Sequence, residues 1–168
     1  MNTNYAGFWM RFLALIIDGI LIGIVRAFLI VPILAAMGMG MYNNLQNIDT
    51  ERPADVIGML GPFVAMASVV SLISTAIWVL YYTFMESSKF QATVGKLALG
   101  IVVTDANGAK LDFAKALIRN LCKIISGMIL FIGFIMAGFT EKKQGLHDII
   151  AGTLVVKKQP ELSPNPIK

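Results

Sequence analysis

Charge is scarce in this sequence. Asp, Glu, Lys and Arg make up 14% of its 168 residues, hydrophobic residues make up 57%, and the mean hydropathy is +0.73. Soluble domains carry roughly 25% charged residues. So few charges cannot cover a water-facing surface, which excludes a disordered or collagen-like chain and argues against a free cytosolic globule. Cysteine is almost absent: Cys122 stands alone, so no intrachain disulfide framework exists. Histidine is equally rare. With His147 and Cys122 the only residues of their kinds, the usual structural zinc sites are excluded, and a metal phosphohydrolase would lack its histidines. No nucleophile-elbow pattern occurs. Gly95-Lys96 fails as a phosphate loop, because Phe90 stands five positions before Gly95 and Leu97 follows the lysine. The expectation is a protein with no enzymatic activity, no metal and no cofactor. Lys and Arg outnumber Asp and Glu by 14 to 10 but form no dense cluster with aromatics. Nucleic acid is therefore not the expected partner.

What the chain has is long apolar runs. Residues 12–37 are broken only by Asp18 and Arg26, and residues 57–85 carry no charge. Crossing the hydrocarbon takes about 20 helical residues, so both runs are predicted to be transmembrane helices. A signal peptide fits the first poorly, because residues 1–10 contain no Lys or Arg and the run is too long. A third run, 124–139, contains Gly127, Gly133 and Gly138 and is marginal for crossing. It reads as re-entrant or interfacial. In the second helix Ser68, Ser71, Ser74 and Thr75 share a broad face suited to helix packing. Pro62 is expected within a turn or two of that helix's start, and Trp78, Tyr81 and Tyr82 suit an interface belt at its far end.

The loop 38–55 has one basic residue against three acidic ones (Asp49, Glu51, Asp55), whereas 11 of the 14 basic residues lie in 86–123 and from Thr140 onward. The bias of Lys and Arg toward the cytoplasm places both basic segments and the amino terminus inside. If 124–139 crossed fully, the basic tail would lie outside, so a hairpin and a cytoplasmic carboxyl terminus are expected. Residues 99–104 and 153–156 are β-rich, and Asp105-Ala-Asn-Gly108 is a turn signal before Lys110-Leu111. A hairpin joined by a third strand would make a small stable sheet. Asp112 can cap a helix from Phe113. That helix has Phe113, Leu117, Leu121, Ile124 and Ile125 on one face and Lys115, Arg119, Cys122 and Ser126 on another, a pattern suited to anchoring on anionic lipid. The fold class is thus an all-α integral membrane protein with two long transmembrane helices, a third short apolar helical segment and a small cytoplasmic β element. Residues 1–157 form a single membrane domain and 158–168 a flexible cytoplasmic tail.

Asp18 is the sharpest polar feature. With Arg11 at the cytoplasmic boundary it lies about 10 Å into the apolar layer. A charge there costs about 3 kcal/mol or more, so it must be paired, protonated or facing a wet cavity. Arg11 and Asp18, seven apart, share one helix face. A direct bridge is at the limit of reach, so another group is expected to complete it. Arg26 is expected to snorkel to the outer boundary. Gln144, His147 and Asp148 are expected to converge with Arg11 under the membrane, with His147 able to titrate near neutral pH.

These segments resemble the RDD family of bacterial and archaeal membrane proteins, named for one arginine and two aspartates. Residues 6–18 look like its first-helix motif, 93–103 like its middle motif, 117–120 like the entry to its third apolar run, and 144–153 like its closing motif. The resemblance covers roughly residues 6–157. It implies Arg11, Asp18 and Asp148 as the named set, with His147, Gln144, Arg119 and Lys96 supporting. It also implies a place in a bacterial or archaeal cytoplasmic membrane and a part in transport of ions or small ligands, including cation–proton exchange. Two spanning helices cannot enclose a pathway, so transport would need a homo-oligomer or a membrane partner. The competing expectation is a non-transporting module that binds a partner protein or lipid, with Arg11, Asp18 and Asp148 as a packing lock.

Overall fold

The computed structural model describes residues 5–45, 53–128 and 132–158. Asp49, Glu51 and Arg52 of the acidic loop, the middle of the third apolar run and the tail from Gln159 lie outside the described residues. Along the chain come helices α1 (Phe8–Leu45), α2 (Pro53–Ser87) and α3 (Val94–Ala98), strand β1 (Ile101–Asp105), helices α4 (Phe113–Met128) and α5 (Ile132–Ile135), a 3-10 turn (Met136–Gly138), helix α6 (Leu146–Ile150) and strand β2 (Thr153–Lys157).

Two segments, Phe8–Asn43 and Gly61–Ser87, are long and apolar enough to cross a membrane. Hydrocarbon offers no partner to backbone N–H and C=O groups, so such segments close their own hydrogen bonds as helix. Both helices outrun the apolar stretches. The 38 residues of α1 span about 57 Å, against a hydrocarbon core of about 30 Å. Because α2 starts at Pro53, Pro62 stands nine residues in, deeper than expected, and Pro32 lies inside α1.

The chain divides into two compact units, one of Met1–Asp18 with Val79–Lys168 and one of Gly19–Trp78. In the second unit Arg26 does not snorkel. Its Nη2 donates to the Ser74 carbonyl at 2.6 Å, and its buried Nε has no partner. Midway along a helix in an apolar layer, a neighbouring helix carbonyl is a nearer acceptor than the boundary. The Ser68 and Thr75 hydroxyls bond carbonyls one turn back in their own helix, at Val64 and Ser71, and remain exposed. Their bonds are therefore local, not between helices.

In the first unit β1 and β2 pair antiparallel, from Ile101 opposite Lys157 to Asp105 opposite Thr153. Lys110-Leu111 forms no strand. Asp105 Oδ1 accepts the N–H groups of Asn107 and Ala109, both at 2.8 Å, closing a tight Asx turn. The chain then leaves for α4, where Asp112 accepts the Lys115 N–H at 2.6 Å as the predicted cap. The missing third edge comes from the amino terminus: Tyr5 bridges Val156, and the Ala6 N–H bonds the Val155 carbonyl at 2.9 Å. Ala6, Ala14, Ile101, Val103, Leu111, Ala116 and Val155 form the small apolar core.

Helix α4 is amphipathic as expected but inverted in use. Arg119, Asn120, Lys123 and Ser126 are buried, while Ile118, Leu121, Ile124 and Ile125 are exposed and only Lys115 keeps its charge at the surface. The basic face therefore meets buried acids rather than anionic lipid. An outward apolar face is stable against acyl chains, and charges near the bilayer turn to the protein interior. The third apolar run is not one straight helix: α4 ends at Met128, and Gly133 of α5 packs back on Ser126.

Candidate functional site

The interior of the first unit is held by charge as much as by apolar packing. Asp148 sits in α6, wholly buried, between two guanidinium groups. Arg11 Nη1 pairs with its Oδ2. Arg119 meets Oδ1 through Nη2 at 2.7 Å and Nε at 2.9 Å. The Gly145 N–H also donates to Oδ2 at 3.2 Å. Arg11 is fixed further by Nη2 on the Lys143 carbonyl at 2.6 Å and Nε on the Ala6 carbonyl at 3.0 Å. Several charge-assisted bonds thus tie α1 to the chain's far end.

Arg119 also reaches Glu86 Oε2 with Nη1 at 3.2 Å. Glu86, wholly buried at the end of α2, is the hub of the other half. Its Oε1 takes Lys96 Nζ and, at 3.3 Å, Lys123 Nζ. Its Oε2 accepts the Asn120 amide at 3.3 Å. Lys123 donates to Asn120 Oδ1 at 2.5 Å and lies 4.3 Å from the Tyr82 ring centroid. The connected set draws on α1, α2, α3, α4 and α6.

Electrostatics follow from this geometry. Burial alone would push the Asp148 carboxyl up, but Arg119 and Arg11 outweigh it and hold the group well below the usual carboxylate range. Burial pushes Lys96 below the ordinary lysine value against the pull of Glu86. Burial pushes His147 down to about 3, so it is neutral at physiological pH and does not titrate near neutrality as the sequence suggested. Its ring packs on Phe134 at 4.9 Å, with Nε2 at 3.4 Å from Asp148 Oδ1 and Nδ1 at 3.5 Å from Ser126 Oγ.

Of the residues nominated from sequence, Arg11, Arg119, His147 and Asp148 come together, and Lys96 joins through Glu86. Gln144 does not converge on Arg11; its Nε2 donates to the Thr153 carbonyl at 2.9 Å, tying the loop before α6 to β2. Asp18 also departs from expectation. It is wholly buried, and its bonds come from neutral donors: Tyr81 Oη at 2.9 Å and the Gly95 N–H at 2.7 Å to Oδ1, and Thr93 Oγ1 at 2.5 Å to Oδ2. Among the described residues no ion pair reaches it. Two helical turns, about 10 Å, separate it from Arg11 along α1, and the donors of α3 and its lead-in are nearer. Glu86, Asn120, Lys123, Tyr81 and Thr93 were not nominated. The available signal was positional: Glu86 is the first charge after the uncharged run and Lys123 the last before the third run.

The carboxylates of this unit are met by donors of the chain itself. Among the described residues no group of three or more His, Cys, Asp or Glu is placed to hold a metal ion. An open groove of about 400 Å³ along Ile132, Ile135, Met136, Phe139 and Thr140 carries none of the charged set.

The sequence model described as RDD family matches residues 5–152. Over 153 residues, 91% of this chain and 97% of the relative, the sequence is 39% identical to the uncharacterized protein YxaI of Bacillus subtilis (strain 168). It is 29% identical over 161 residues, 95% of this chain and 85% of the relative, to the uncharacterized membrane protein YteJ of the same organism. No solved structure matches the chain.

Proposed function

The chain belongs to the RDD family of membrane proteins, and on that premise we propose that it is a non-enzymatic, membrane-embedded binding module whose charged set is a packing lock. In this reading Arg11, Asp148, Arg119 and Glu86 bind the first helix to the last elements of the chain. The apolar faces of α1, α2 and α4 are left to lipid or to a partner membrane protein. The carrying observation is that Asp148 and Glu86 are wholly enclosed and answered by basic groups of the same chain. Both termini are assigned to the cytoplasmic side. The distribution of basic residues supports that sidedness, as does the pairing of Tyr5, β1 and β2, which needs all three on one side.

Breaking one partner of a buried pair costs about 3–5 kcal/mol. Thermal unfolding in detergent of Arg11→Leu, Asp148→Leu and the double variant tests the lock. A double variant destabilised less than the sum of the singles is expected. Additive losses, or single variants as stable as the natural protein, would overturn it.

A second reading, cation–proton exchange by a homo-oligomer or with a membrane partner, is favoured by one observation: Asp18 is buried among neutral donors. An asparagine there keeps an oxygen for Tyr81 and Gly95, and Thr93 can rotate to accept from the amide. Asp18→Asn is therefore expected to fold. Under this reading it abolishes pH-driven cation flux into proteoliposomes. Flux equal to that of the natural protein, or no flux in either, removes it.

A further inference from the structure

Between Asp18 and Asp49 the sequence holds a single charge, Arg26, and residues 57–85 hold none. Arg26 lies inside the first of the two membrane-length segments, and Ser74 inside the second. A guanidinium keeps its charge in proteins and offers five N–H donors. Among the described residues Arg26 makes one hydrogen bond, from Nη2 to the Ser74 carbonyl at 2.6 Å, and its enclosed Nε has no acceptor. Arg11, Arg119 and Lys96 each meet a buried carboxylate. Arg26 meets none among the described residues. A charge in the apolar layer is costly until an opposite charge answers it.

The chain's own acids do not supply that charge. On α1 the nearest is Asp18, eight positions earlier, and Tyr81, Gly95 and Thr93 already occupy its oxygens. Along α2 the acids nearest to Ser74 are Asp55 and Glu86, 19 and 12 positions away, which is about 28 and 18 Å of helix. A second copy fails for the same reason, since it would bring only an enclosed Asp18 to the apolar layer. Lipid phosphate is distant too: the uncharged positions 27–37 put about 16 Å of helix between Arg26 and the end of the apolar run.

We propose that Arg26 is a docking site for a membrane protein of different sequence, one of whose helices carries an Asp or Glu carboxylate at the same depth. Charge complementarity selects the partner, because a guanidinium matches a carboxylate with parallel N–H donors. The helix face admits it. Gly19 and Gly23 stand seven and three positions before Arg26, on its side of α1. Both are exposed, and a Cβ added at either meets nothing within 4 Å. Small residues on an open face let a second helix approach closely in lipid. Arg26 is itself only partly buried, so a helix seated there reaches the guanidinium.

This inference rests on the reading of the chain as a binding module and names what it binds. Its test uses lysine-flanked polyleucine peptides of membrane-spanning length, one with Glu and one with Gln at mid-span, in phosphatidylcholine vesicles. Energy transfer from the labelled peptide to a fluorophore fused after Lys168 of the full chain reads association. The Glu peptide is expected to bind the natural protein at least about tenfold more tightly than the Gln peptide. In Arg26→Leu, which removes a charge from the apolar layer, the two peptides are expected to bind alike. Equal binding of both peptides by the natural protein overturns the proposal, whether or not the variant folds. So does a preference for Glu that persists in Arg26→Leu. Loss of the preference on adding phosphatidylglycerol would give Arg26 to a lipid headgroup instead. Transfer between two labelled copies that Arg26→Leu abolishes would give it to a second copy. Either result also overturns the proposal. Failure of the lock in the Arg11 and Asp148 variants would leave this assay unchanged, and equal peptide binding would leave the lock in place.

Discussion

The Cβ that Gly95 lacks would stand 2.2 Å from the Ala14 carbonyl oxygen and 2.9 Å from Asp18 Cγ. Glycine is what lets α3 touch α1 and lets the Gly95 N–H reach Asp18 at 2.7 Å.

Gly95→Ala is therefore expected to destabilise the protein by about 1–3 kcal/mol, the cost of overpacking. The obstructing atom is backbone and cannot rotate away. Gly19→Ala, where an added Cβ meets nothing within 4 Å, is the control. There helix propensity favours alanine by up to about 1 kcal/mol. Denaturation midpoints in detergent separate the two; equal midpoints would mean that α3 is not seated on α1.

Acid is expected to unfold the protein in two stages. The folded values of His147 and Asp148 both lie below their unfolded values, so at a pH between a group's two values the unfolded chain binds more protons, and stability is lost as the pH is lowered. For His147 the window runs from 6.5 down to about 3. By about pH 4.5 its share of the loss is on the order of 3 kcal/mol. For Asp148 the loss begins near 3.8 and continues downward. His147→Gln removes the first stage and leaves the second. Unfolding free energies measured from neutral to acid pH check this, and an unchanged slope above pH 4 in the variant would contradict it.

The inverted face of α4 is open to spin labelling in a Cys122→Ser background. Nitroxides at Ile118 and Ile125, which are 49% exposed, are expected to collide with lipid-soluble oxygen in preference to an aqueous nickel chelate. A label at Lys115 should show the reverse. Aqueous access at Ile118 and Ile125 would place α4 in water and refute the assignment of its apolar face to lipid.

The two long helices were legible because apolar length is a local property: 57–85 without a charge has few other solutions. The pairing of Arg11 with Asp148 was legible only through motif order, since 137 positions separate the two. Three things were hidden for a common reason. Asp18 was given an ionic partner because spacing along a helix shows who shares a face, not what the next segment brings. Glu86 went unnoticed because a charge at the end of an apolar run reads as a boundary. The charged face of α4 was assigned to water and headgroups because periodicity separates two faces without saying which one is inside. In water the apolar face is the buried one; beside lipid the assignment reverses.

Residues near both chain ends meet, Tyr5 with Val156 and Arg11 with Asp148. A ribosome adding about 5–20 residues per second thus has both membrane helices threaded long before the strand that completes the sheet is made. Until then Arg11 waits without its carboxylate and the edge of β1 is open. The first unit is therefore completed only when the segment that carries Asp148 and β2 has been made.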